Sequence, residues 1–422
     1  SSHVLWSRGN MGWPGAALLA ALGWLVSAWD DWPVRPDSWD PEEGQYTIKL
    51  QQQDIPVEGE EIPYNKTAFF AWVSLGTKQG QQAFSVVFDT GSAHLIVPSE
   101  LCQDEPCKVH RRFLTKESPT AVDVDADGSP VLKGQARDQI TIAFGTGEVT
   151  GVFVKDQVCL GSSTPLTGPA CTEMIVIVAV EMAEDPFVQF KFDGVLGLAM
   201  DGLSQSRDFN FLQRMLADSG RMREPFFAVW IARHGAAEPG EITFGGWRPE
   251  RMETGLQWVP VTNPEYGYWL LDVYALRIGG KLSSFCYSGC KVVIDTGTSL
   301  IAAPSRFVDP LYYSLNDAIW AHPRRGVKRG GRSCEPDVPA GLLEFVLFNN
   351  VTLAMNPRDY GIVEKPKKRR WKCEPMLMAI DIPPPIGPSL FILGEPFFRK
   401  YYTVFDGIRG NLGFSVAKHP ED

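Results

Sequence analysis

The same five-residue pattern occurs twice in this chain of 422 residues. Residues 88–92 read Phe-Asp-Thr-Gly-Ser, and residues 294–298 read Ile-Asp-Thr-Gly-Thr. Each copy lies between two apolar runs, which predicts a strand, a sharp turn and a second strand, with an aspartate at the turn. Glycine behind each aspartate allows the backbone to turn tightly. One such triplet is weak evidence, but two copies in matching settings predict two similar halves that bring two carboxylates together.

A second element is repeated at a matching position in each half. Val-Leu-Gly at residues 195–197 follows Asp89, and Ile-Leu-Gly at residues 392–394 follows Asp295. Either element alone is also consistent with an unrelated buried strand that ends in glycine. As a matched pair, they indicate an internal repeat.

On these segments the sequence resembles the pepsin-like aspartic proteases, a family that includes pepsin, cathepsin D and the plasmepsins. The resemblance extends from about Tyr46 to Ala417. It implies an all-β, two-lobed pepsin-like acid protease fold with the active-site cleft between the lobes, and the activity of an aspartic endopeptidase. The matching segments are 88–92, Phe144–Gly147, Phe192–Leu198, 294–299 and 392–394, the last of which continues into Tyr401–Asp406.

The length and composition agree with two lobes rich in strands. A chain of 422 residues is long for a single core. Its 40 glycines and 32 prolines indicate many short strands and turns, with short helices predicted at Leu212–Ala217 and Pro310–Ile319. The net charge of −10 argues against nucleic-acid binding. The predicted divisions are 1–28 (signal peptide), 29–44 (a short or residual pro-segment), 45–235 (N-terminal lobe) and 236–418 (C-terminal lobe).

The eight cysteines contain no Cys-x-x-Cys spacing, which favours disulfides over a zinc site. The family resemblance implies the pairs Cys102–Cys107, Cys286–Cys290 and Cys334–Cys373. Cys159 and Cys171 remain, and we predict their pairing only from their proximity in sequence.

The N-terminal segment predicts entry into the secretory pathway. Gly15–Ala28 is apolar, ends in small residues and is short for a membrane span, so a signal peptide is expected in place of an anchor. The ten residues before Met11 are interpreted as upstream read-through or a fragment. Asn65 and Asn350 begin glycosylation sequons. We expect a protein with no stable membrane anchor, in an extracellular or acidic vacuole-like or lysosome-like compartment, and the resemblance implies a monomer.

The paired aspartates predict a specific chemistry. Two adjacent carboxylates cannot both ionise readily, so one keeps a proton while the other acts as a base. By resemblance, Asp89 and Asp295 activate a water that attacks a peptide carbonyl, with no metal, cofactor or covalent intermediate. The same resemblance implies that the threonines lock the two loops together and that the hydroxyls behind them bind the outer carboxylate oxygens. These supporting positions are Thr90, Gly91, Ser92, Thr296, Gly297 and Thr298.

The substrate side departs from the family pattern. The segment Thr141–Thr150 resembles the hairpin flap that closes over a bound peptide, but Phe144 stands where the family usually has tyrosine. The family's tryptophan partner is replaced by Ile96, and an apolar contact between the two is therefore predicted. The alternative is a decayed flap in an inactive protein. We expect hydrophobic residues at the scissile bond, inhibition by pepstatin-type compounds, and substrate contacts from Phe144, Gly145, Thr146, Ile96 and Ser299.

Two charged segments have less specific interpretations. Asp123–Gly128 resembles the start of an EF-hand loop, but Gly134 occupies the position that needs a bidentate glutamate, so a solvated acidic loop is the preferred interpretation. Basic clusters at residues 324–332 and 365–370 flank the predicted Cys334–Cys373 bond. They are consistent with a solvated insertion, a processing site or an anionic docking surface.

Three questions stay open at the level of sequence. The family's long basic pro-segment is not evident before Tyr46, where the short stretch is acidic and rich in tryptophan. An abbreviated pro-segment, an incorrect upstream gene model and another form of latency are all consistent with this.

A catalytically silent binding or inhibitor protein on the same fold is the alternative function. A serine hydrolase has little support, because no Gly-x-Ser-x-Gly motif is present.

Overall fold

The structure is a computed structural model. It describes residues 38–40, 44–57, 64–77, 80–132, 134–145, 147–161, 170–217, 222–233, 236, 238–320, 341–364 and 372–420.

Most of the described chain forms β-strands. The strands of the first half are β1 (Ser38–Asp40), β2 (Gln45–Val57), β3 (Tyr64–Leu75), β4 (Gln82–Asp89), β5 (Leu95–Pro98), β6 (Val122–Val124), β7 (Ile140–Phe144), β8 (Gly147–Leu160), β9 (Cys171–Met182), β10 (Gly194–Gly197) and β11 (Phe226–Ile231). The remaining strands are β12 (Gly240–Phe244), β13 (Gln257–Pro260), β14 (Leu270–Ile278), β15 (Lys281–Leu282), β16 (Cys290–Ile294), β17 (Ile301–Ala303), β18 (Leu343–Leu347), β19 (Thr352–Met355), β20 (Gly361–Glu364), β21 (Lys372–Pro375), β22 (Leu377–Ala379), β23 (Leu390–Leu393), β24 (Tyr401–Asp406) and β25 (Asn411–Val416).

The described residues contain five α-helices. They are α1 (Glu105–Val109), α2 (Phe211–Ala217), α3 (Ser305–Trp320), α4 (Pro357–Tyr360) and α5 (Glu395–Lys400). The two helices expected from sequence correspond to α2 and α3. The prediction of an all-β, two-lobed fold is confirmed.

The strands form two principal sheets. The larger sheet has the order β13-β25-β24-β11-β12-β2-β3-β4-β10-β5-β9-β8-β6, with β1 paired to β2 and β7 to β8. The smaller has the order β19-β18-β14-β16-β23-β17-β22, with β15 paired to β14. Strands β24 and β25, near the end of the chain, therefore belong to the larger sheet together with β2. The predicted lobe boundary at residue 235 stays a prediction.

The sequence repeat corresponds to a repeated arrangement of strands. Strand β10 runs parallel to β4 and antiparallel to β5. In the smaller sheet, β23 runs parallel to β16 and antiparallel to β17 in the same way. In each half, the apolar-apolar-glycine element is thus the strand that pairs with the aspartate-bearing strand.

An aromatic cluster joins β11 and β24 of the larger sheet to Trp269, which directly precedes β14 of the smaller sheet. All six residues of β11 and all six of β24 are buried, as expected for strands covered on both faces. Phe227 stacks on Phe405 with ring centroids 4.4 Å apart and an interplanar angle of 2°. Trp269 contacts both rings edge-on, at 5.9 and 5.0 Å. Stacked and edge-on pairs of this kind add about 0.5–1.5 kcal/mol each beyond their buried area, and they fix the position of Trp269.

Three disulfides occur in the described part of the chain, namely Cys102–Cys107, Cys159–Cys171 and Cys286–Cys290. Cys159 and Cys171 lie opposite each other on β8 and β9. The predicted Cys334–Cys373 bond and both basic clusters lie outside the described residues, as do the signal peptide and the side chain of Asn65. Asn350 lies at an exposed turn with a φ of 64°.

The EF-hand-like segment forms an acidic turn next to β6. Asp127 Oδ1 accepts a hydrogen bond from the Ser129 N–H at 2.9 Å, and Asp125 Oδ1 accepts one from the Asp138 N–H at 2.9 Å. Because these carboxylates bond the loop's own backbone, the geometry favours the acidic-loop interpretation. Within the described residues, no helix is long and apolar enough to span a membrane.

Candidate active site

The two Asp-Thr-Gly loops meet where β4 and β16 end. A Cβ atom built on Gly297 would lie 2.2 Å from Asp89 Oδ1 and 3.3 Å from Asp295 Oδ1. A Cβ built on Gly91 would lie 2.9 Å from the Asp295 carboxylate. Each glycine therefore faces the opposite aspartate, and a side chain at either position would enter the space between the carboxylates. The fold thus brings together the two aspartates predicted from sequence.

The threonines join the two loops through reciprocal hydrogen bonds. The Thr90 N–H donates to Thr296 Oγ1, and the Thr296 N–H donates to Thr90 Oγ1, both at 3.0 Å. Each hydroxyl also donates across the interface, Thr90 Oγ1 to the Ile294 carbonyl at 3.0 Å and Thr296 Oγ1 to the Phe88 carbonyl at 2.6 Å. Since Thr90 is fully buried, these bonds form in a low-dielectric setting, where they fix the spacing of the loops.

The two carboxylates have equivalent surroundings. Asp89 Oδ1 accepts from the Gly91 N–H at 2.9 Å, and its Oδ2 accepts from the Ser92 hydroxyl at 2.5 Å. Asp295 Oδ1 accepts from the Gly297 N–H at 2.9 Å, and its Oδ2 accepts from the Thr298 hydroxyl at 2.6 Å. Each carboxylate is therefore held by hydrogen bonds from its own loop. Its Oδ1 atom lies near the glycine of the opposite loop.

Burial and the neighbouring carboxylate perturb the titration of the pair. Desolvation, as the larger cause, and the charge of Asp295 together raise the pKa of Asp89 from 3.8 to about 7. Hydrogen bonds from Ser92 and Gly91 oppose this shift, because they stabilise the ionised form. Since the two groups are coupled, the titration belongs to the pair, which keeps a proton up to near-neutral pH.

The hydroxyl of Ser92 offers a direct test of this balance. Its bond lowers the pKa of Asp89, so Ser92→Ala is expected to raise that pKa. The alkaline limb of a pH profile of kcat/KM should therefore move to higher pH. Ser284→Ala, at an exposed serine before Cys286, is the matched control. An alkaline limb that stays in place or moves to lower pH would contradict the assignment.

Sequence reasoning missed two aromatic residues of this site. The buried Trp269 donates its indole N–H to the Leu198 carbonyl at 3.0 Å, and the Leu198 N–H donates to the Asp89 carbonyl at 2.7 Å. The Trp269 carbonyl accepts from the Ile294 N–H at 3.0 Å, so this residue connects both loops. Burial raises the pKa of Tyr268 to about 12, with further contributions from Asp295 and Asp89, so its hydroxyl lies within their electrostatic range.

A buried ion pair behind the second loop was also missed. The Glu395 N–H donates to the Thr298 carbonyl at 2.8 Å, and the Glu395 side chain pairs with Arg399 one helical turn later in α5. Burial raises the pKa of Glu395 to about 7, although Arg399 opposes the shift. Ser299 donates its hydroxyl to the Thr67 carbonyl at 2.7 Å, and its predicted contact with substrate stays a prediction.

The flap segment is a β-hairpin made by β7 and the start of β8. Phe144 pairs with Gly147, and Gly145 lies at the exposed tip with a φ of 58°. Phe144 packs against the apolar cluster that contains Ile96, which is the setting expected from sequence. Its ring also contacts Phe187 edge-on at 6.2 Å, a partner that the sequence did not indicate. Thr146 lies outside the described residues.

A two-lobed β fold with a paired-carboxylate centre defines a class of peptide hydrolases, and comparison with known proteins agrees. The family model "Eukaryotic aspartyl protease" matches residues 68–418. Cathepsin E of Mus musculus is 33% identical over 362 residues, covering 84% of this chain and 82% of that protein. Gastricsin of Rattus norvegicus is 31% identical over 369 residues, covering 86% and 84%. This chain therefore belongs to the eukaryotic aspartyl protease family, and it is an aspartic endopeptidase.

Proposed function

We propose that the chain hydrolyses peptide bonds at acidic pH through a water activated between Asp89 and Asp295. The observation that carries this proposal is the matched bonding of the two carboxylates, each with one backbone N–H and one hydroxyl donor. A binding protein on the same fold has no need to maintain this complete set. The raised pKa of Asp89, about 7, supports operation with one shared proton on the acidic side of neutrality.

In the proposed mechanism, one aspartate of the pair is ionised while the other is protonated. The pair takes up one proton as the pH falls through about 7. The ionised carboxylate takes a proton from the water as its oxygen attacks the substrate carbonyl carbon. The protonated carboxyl donates a hydrogen bond to the carbonyl oxygen and stabilises the tetrahedral intermediate. A proton then passes to the leaving nitrogen as the carbon–nitrogen bond breaks.

The surroundings of the flap support a preference for hydrophobic residues at the scissile bond. Phe144 and Ile96 provide apolar surface where the family's usual tyrosine and tryptophan would provide a hydrogen-bonded pair. A charged substrate side chain against that surface would lose its hydration without gaining a polar partner. We therefore expect aromatic and aliphatic residues on both sides of the cleaved bond.

The test is cleavage of a fluorogenic peptide library from about pH 3 to 7, with and without pepstatin, because the general acid and base require the singly protonated pair. We expect cleavage that pepstatin abolishes, that declines as the pH rises through about 7, and that favours hydrophobic residues. Well-folded protein that cleaves no peptide at any pH would overturn the proposal. Cleavage dominated by charged residues at the scissile bond would overturn the specificity alone.

The cellular setting follows from the sequence and the same activity. Three disulfides in the described residues are typical of an oxidising compartment. We infer that the enzyme acts on peptides or proteins as a monomer, outside the cell or in an acidic compartment of the secretory pathway.

A further inference from the structure

A groove of about 660 Å³ opens beside β3 and β4 of the larger sheet. Its walls lie on β2, β3 and β4, on the turn that follows α1, and on the segment before β10. We call it the basic groove, and the residues that line it include Trp72, Ser85, Arg111, Phe190, Lys191 and Asp193. It lies outside the aspartate loops, and the function proposed above does not use it.

Two exposed cations lie at the rim, and the first of them is held in a fixed position. The Arg111 guanidinium lies over the Trp72 ring, 4.6 Å from its centroid, and its Nη1 donates to the Ala83 carbonyl at 3.2 Å. A guanidinium has five N–H donors, so most remain to bind a ligand. The Lys191 N–H donates to Gln53 Oε1 at 2.7 Å, and this bond anchors the segment that carries the exposed ammonium group.

The carboxylate in the groove wall is occupied by internal hydrogen bonds. Asp193 Oδ2 accepts from the Ser85 N–H at 2.9 Å and from the Ser85 hydroxyl at 2.8 Å. Asp193 Oδ1 accepts from the Arg111 N–H at 2.9 Å and lies 3.9 Å from His110 Nδ1. Asp193 is also buried, whereas the side chains of Arg111 and Lys191 are exposed. The groove therefore presents positive charge to a ligand, although the chain as a whole carries a net charge of −10.

A buried aromatic cluster lies between the basic groove and the first aspartate loop along β4. The Phe190 ring stacks on Phe192 with centroids 4.6 Å apart, and Phe192 lies 6.0 Å from Phe70. Phe192 and Phe70 form one cluster with Val87, which lies two residues before Asp89 on β4. The wall residue Ser85 lies four residues before Asp89 on the same strand, or about 13 Å at 3.3 Å per residue. An extended substrate crosses the same distance in about four residues.

We propose that the basic groove binds an acidic side chain of the peptide substrate, about four residues from the scissile bond. This inference rests on the proposed function and deepens it by naming a substrate class. Arg111 and Lys191 would bond the carboxylate, while Trp72 and Phe190 contact the chain that carries it. Arginine fits a planar carboxylate with two parallel hydrogen bonds.

The test uses peptides of about twelve residues that share one hydrophobic pair at the scissile bond. Each peptide carries either Glu or Gln at a single position, and this position is varied along both sides of the pair. Binding is measured by fluorescence anisotropy on the Asp89→Asn protein at about pH 5.5, where a glutamate of pKa about 4.3 is ionised. We expect the Glu peptide to bind about two- to tenfold more tightly than the Gln peptide near the fourth position on one side. The ratio should decrease at high ionic strength.

The test variant carries both Arg111→Gln and Lys191→Gln. The control variant is Lys116→Gln, because Lys116 is exposed and is not a groove residue. The double variant should bring the Glu-to-Gln ratio to about one, and the control should preserve it; thermal unfolding verifies that both fold. A ratio near one at every position, or one that survives in the double variant, would overturn the inference. A further outcome is that the Glu and Gln peptides bind equally to the full chain and unequally only after residues 29–37 are deleted. That result would assign the groove to the chain's own acidic segment and would also overturn the inference.

This design separates the two proposals. Cleavage of a neutral peptide by the unmodified chain tests the proposed hydrolysis alone. Binding to the Asp89→Asn protein needs no turnover, so the groove is tested even if no peptide is cleaved.

Discussion

Replacing Asp89 with asparagine is expected to reduce kcat/KM by about 10³- to 10⁴-fold, because the variant lacks one of the two groups that exchange protons with water and substrate. The amide is close in size to the carboxylate, so the hydrogen bonds between Thr90 and Thr296 should persist. Steady-state cleavage of the best library peptide at about pH 4 gives the measurement. Activity within tenfold of the unmodified chain would exclude the paired mechanism.

The same substitution should stabilise the protein at neutral pH. The pKa of Asp89 is about 7 in the folded chain and 3.8 as its ordinary value, so the folded state binds more protons between these pH values. The free energy of unfolding contributed by this group is therefore present below about pH 4 and is lost as the pH rises through about 7, at roughly 1.4 kcal/mol per pKa unit. Asparagine does not titrate and avoids that loss.

Chemical denaturation of both proteins at about pH 3 and pH 7 provides the comparison, since the linkage predicts a gain only where the native carboxylates would ionise. We expect the Asp89→Asn protein to be more stable than the unmodified chain at the higher pH and similar to it at the lower. Equal stability differences at both pH values would show that the pKa of Asp89 is not raised in the folded state.

Replacing Gly297 with alanine should reduce kcat/KM by at least about 10²-fold, since a displacement of about 1 Å at reacting groups has that effect. The added Cβ would lie 2.2 Å from Asp89 Oδ1, well inside van der Waals contact. The Asp89 carboxylate cannot move freely away, because Gly91 and Ser92 bond both of its oxygens. The expected result is a folded protein whose carboxylates no longer share one water.

Gly255→Ala is the matched control, because a Cβ there would meet no atom within 4 Å. Cleavage rate, pepstatin affinity and thermal unfolding should be measured on both variants. We expect Gly297→Ala to lose cleavage and pepstatin affinity together, while Gly255→Ala keeps both. Unchanged kinetics in Gly297→Ala would mean that the space between the carboxylates is wider than described here.

The sequence was sufficient to predict the central part of the site because that part is local and repeated. Asp89 and Asp295 lie in matching short motifs, and their supporting threonines and hydroxyls are within three residues of each. Trp269 and Tyr268 lie in one half only, and their partners are distant in sequence, so no repeat or spacing indicates them. Glu395 was missed for a different reason. A charged residue directly after a buried strand normally indicates the surface, and only the fold shows that Arg399 neutralises it inside the protein.

The predictions about the flap and Ser299 show a second limit. Resemblance indicated that Phe144 and Ile96 share an apolar setting, but the edge-on partner Phe187 comes from a segment with no recognisable motif. Ser299 directly follows Thr298, and its hydroxyl bonds the Thr67 carbonyl, which lies 232 residues earlier in the chain. Hydrogen-bond partners at such separations depend on strand order, which the repeat alone does not determine.

The order of strands in the larger sheet has a consequence for synthesis of the chain. Strand β2 is translated before the first aspartate loop, but its neighbour β12 is followed in the sheet by β11 and then by β24, which is translated after the second aspartate loop. Contacts between residues so distant in sequence form slowly, because the intervening chain must be ordered first. A nascent chain stopped after the first aspartate loop cannot complete this sheet or bring the second loop against the first. The paired centre therefore forms only after both halves have been translated, and the chain made before that point is not exposed to its own proteolytic centre.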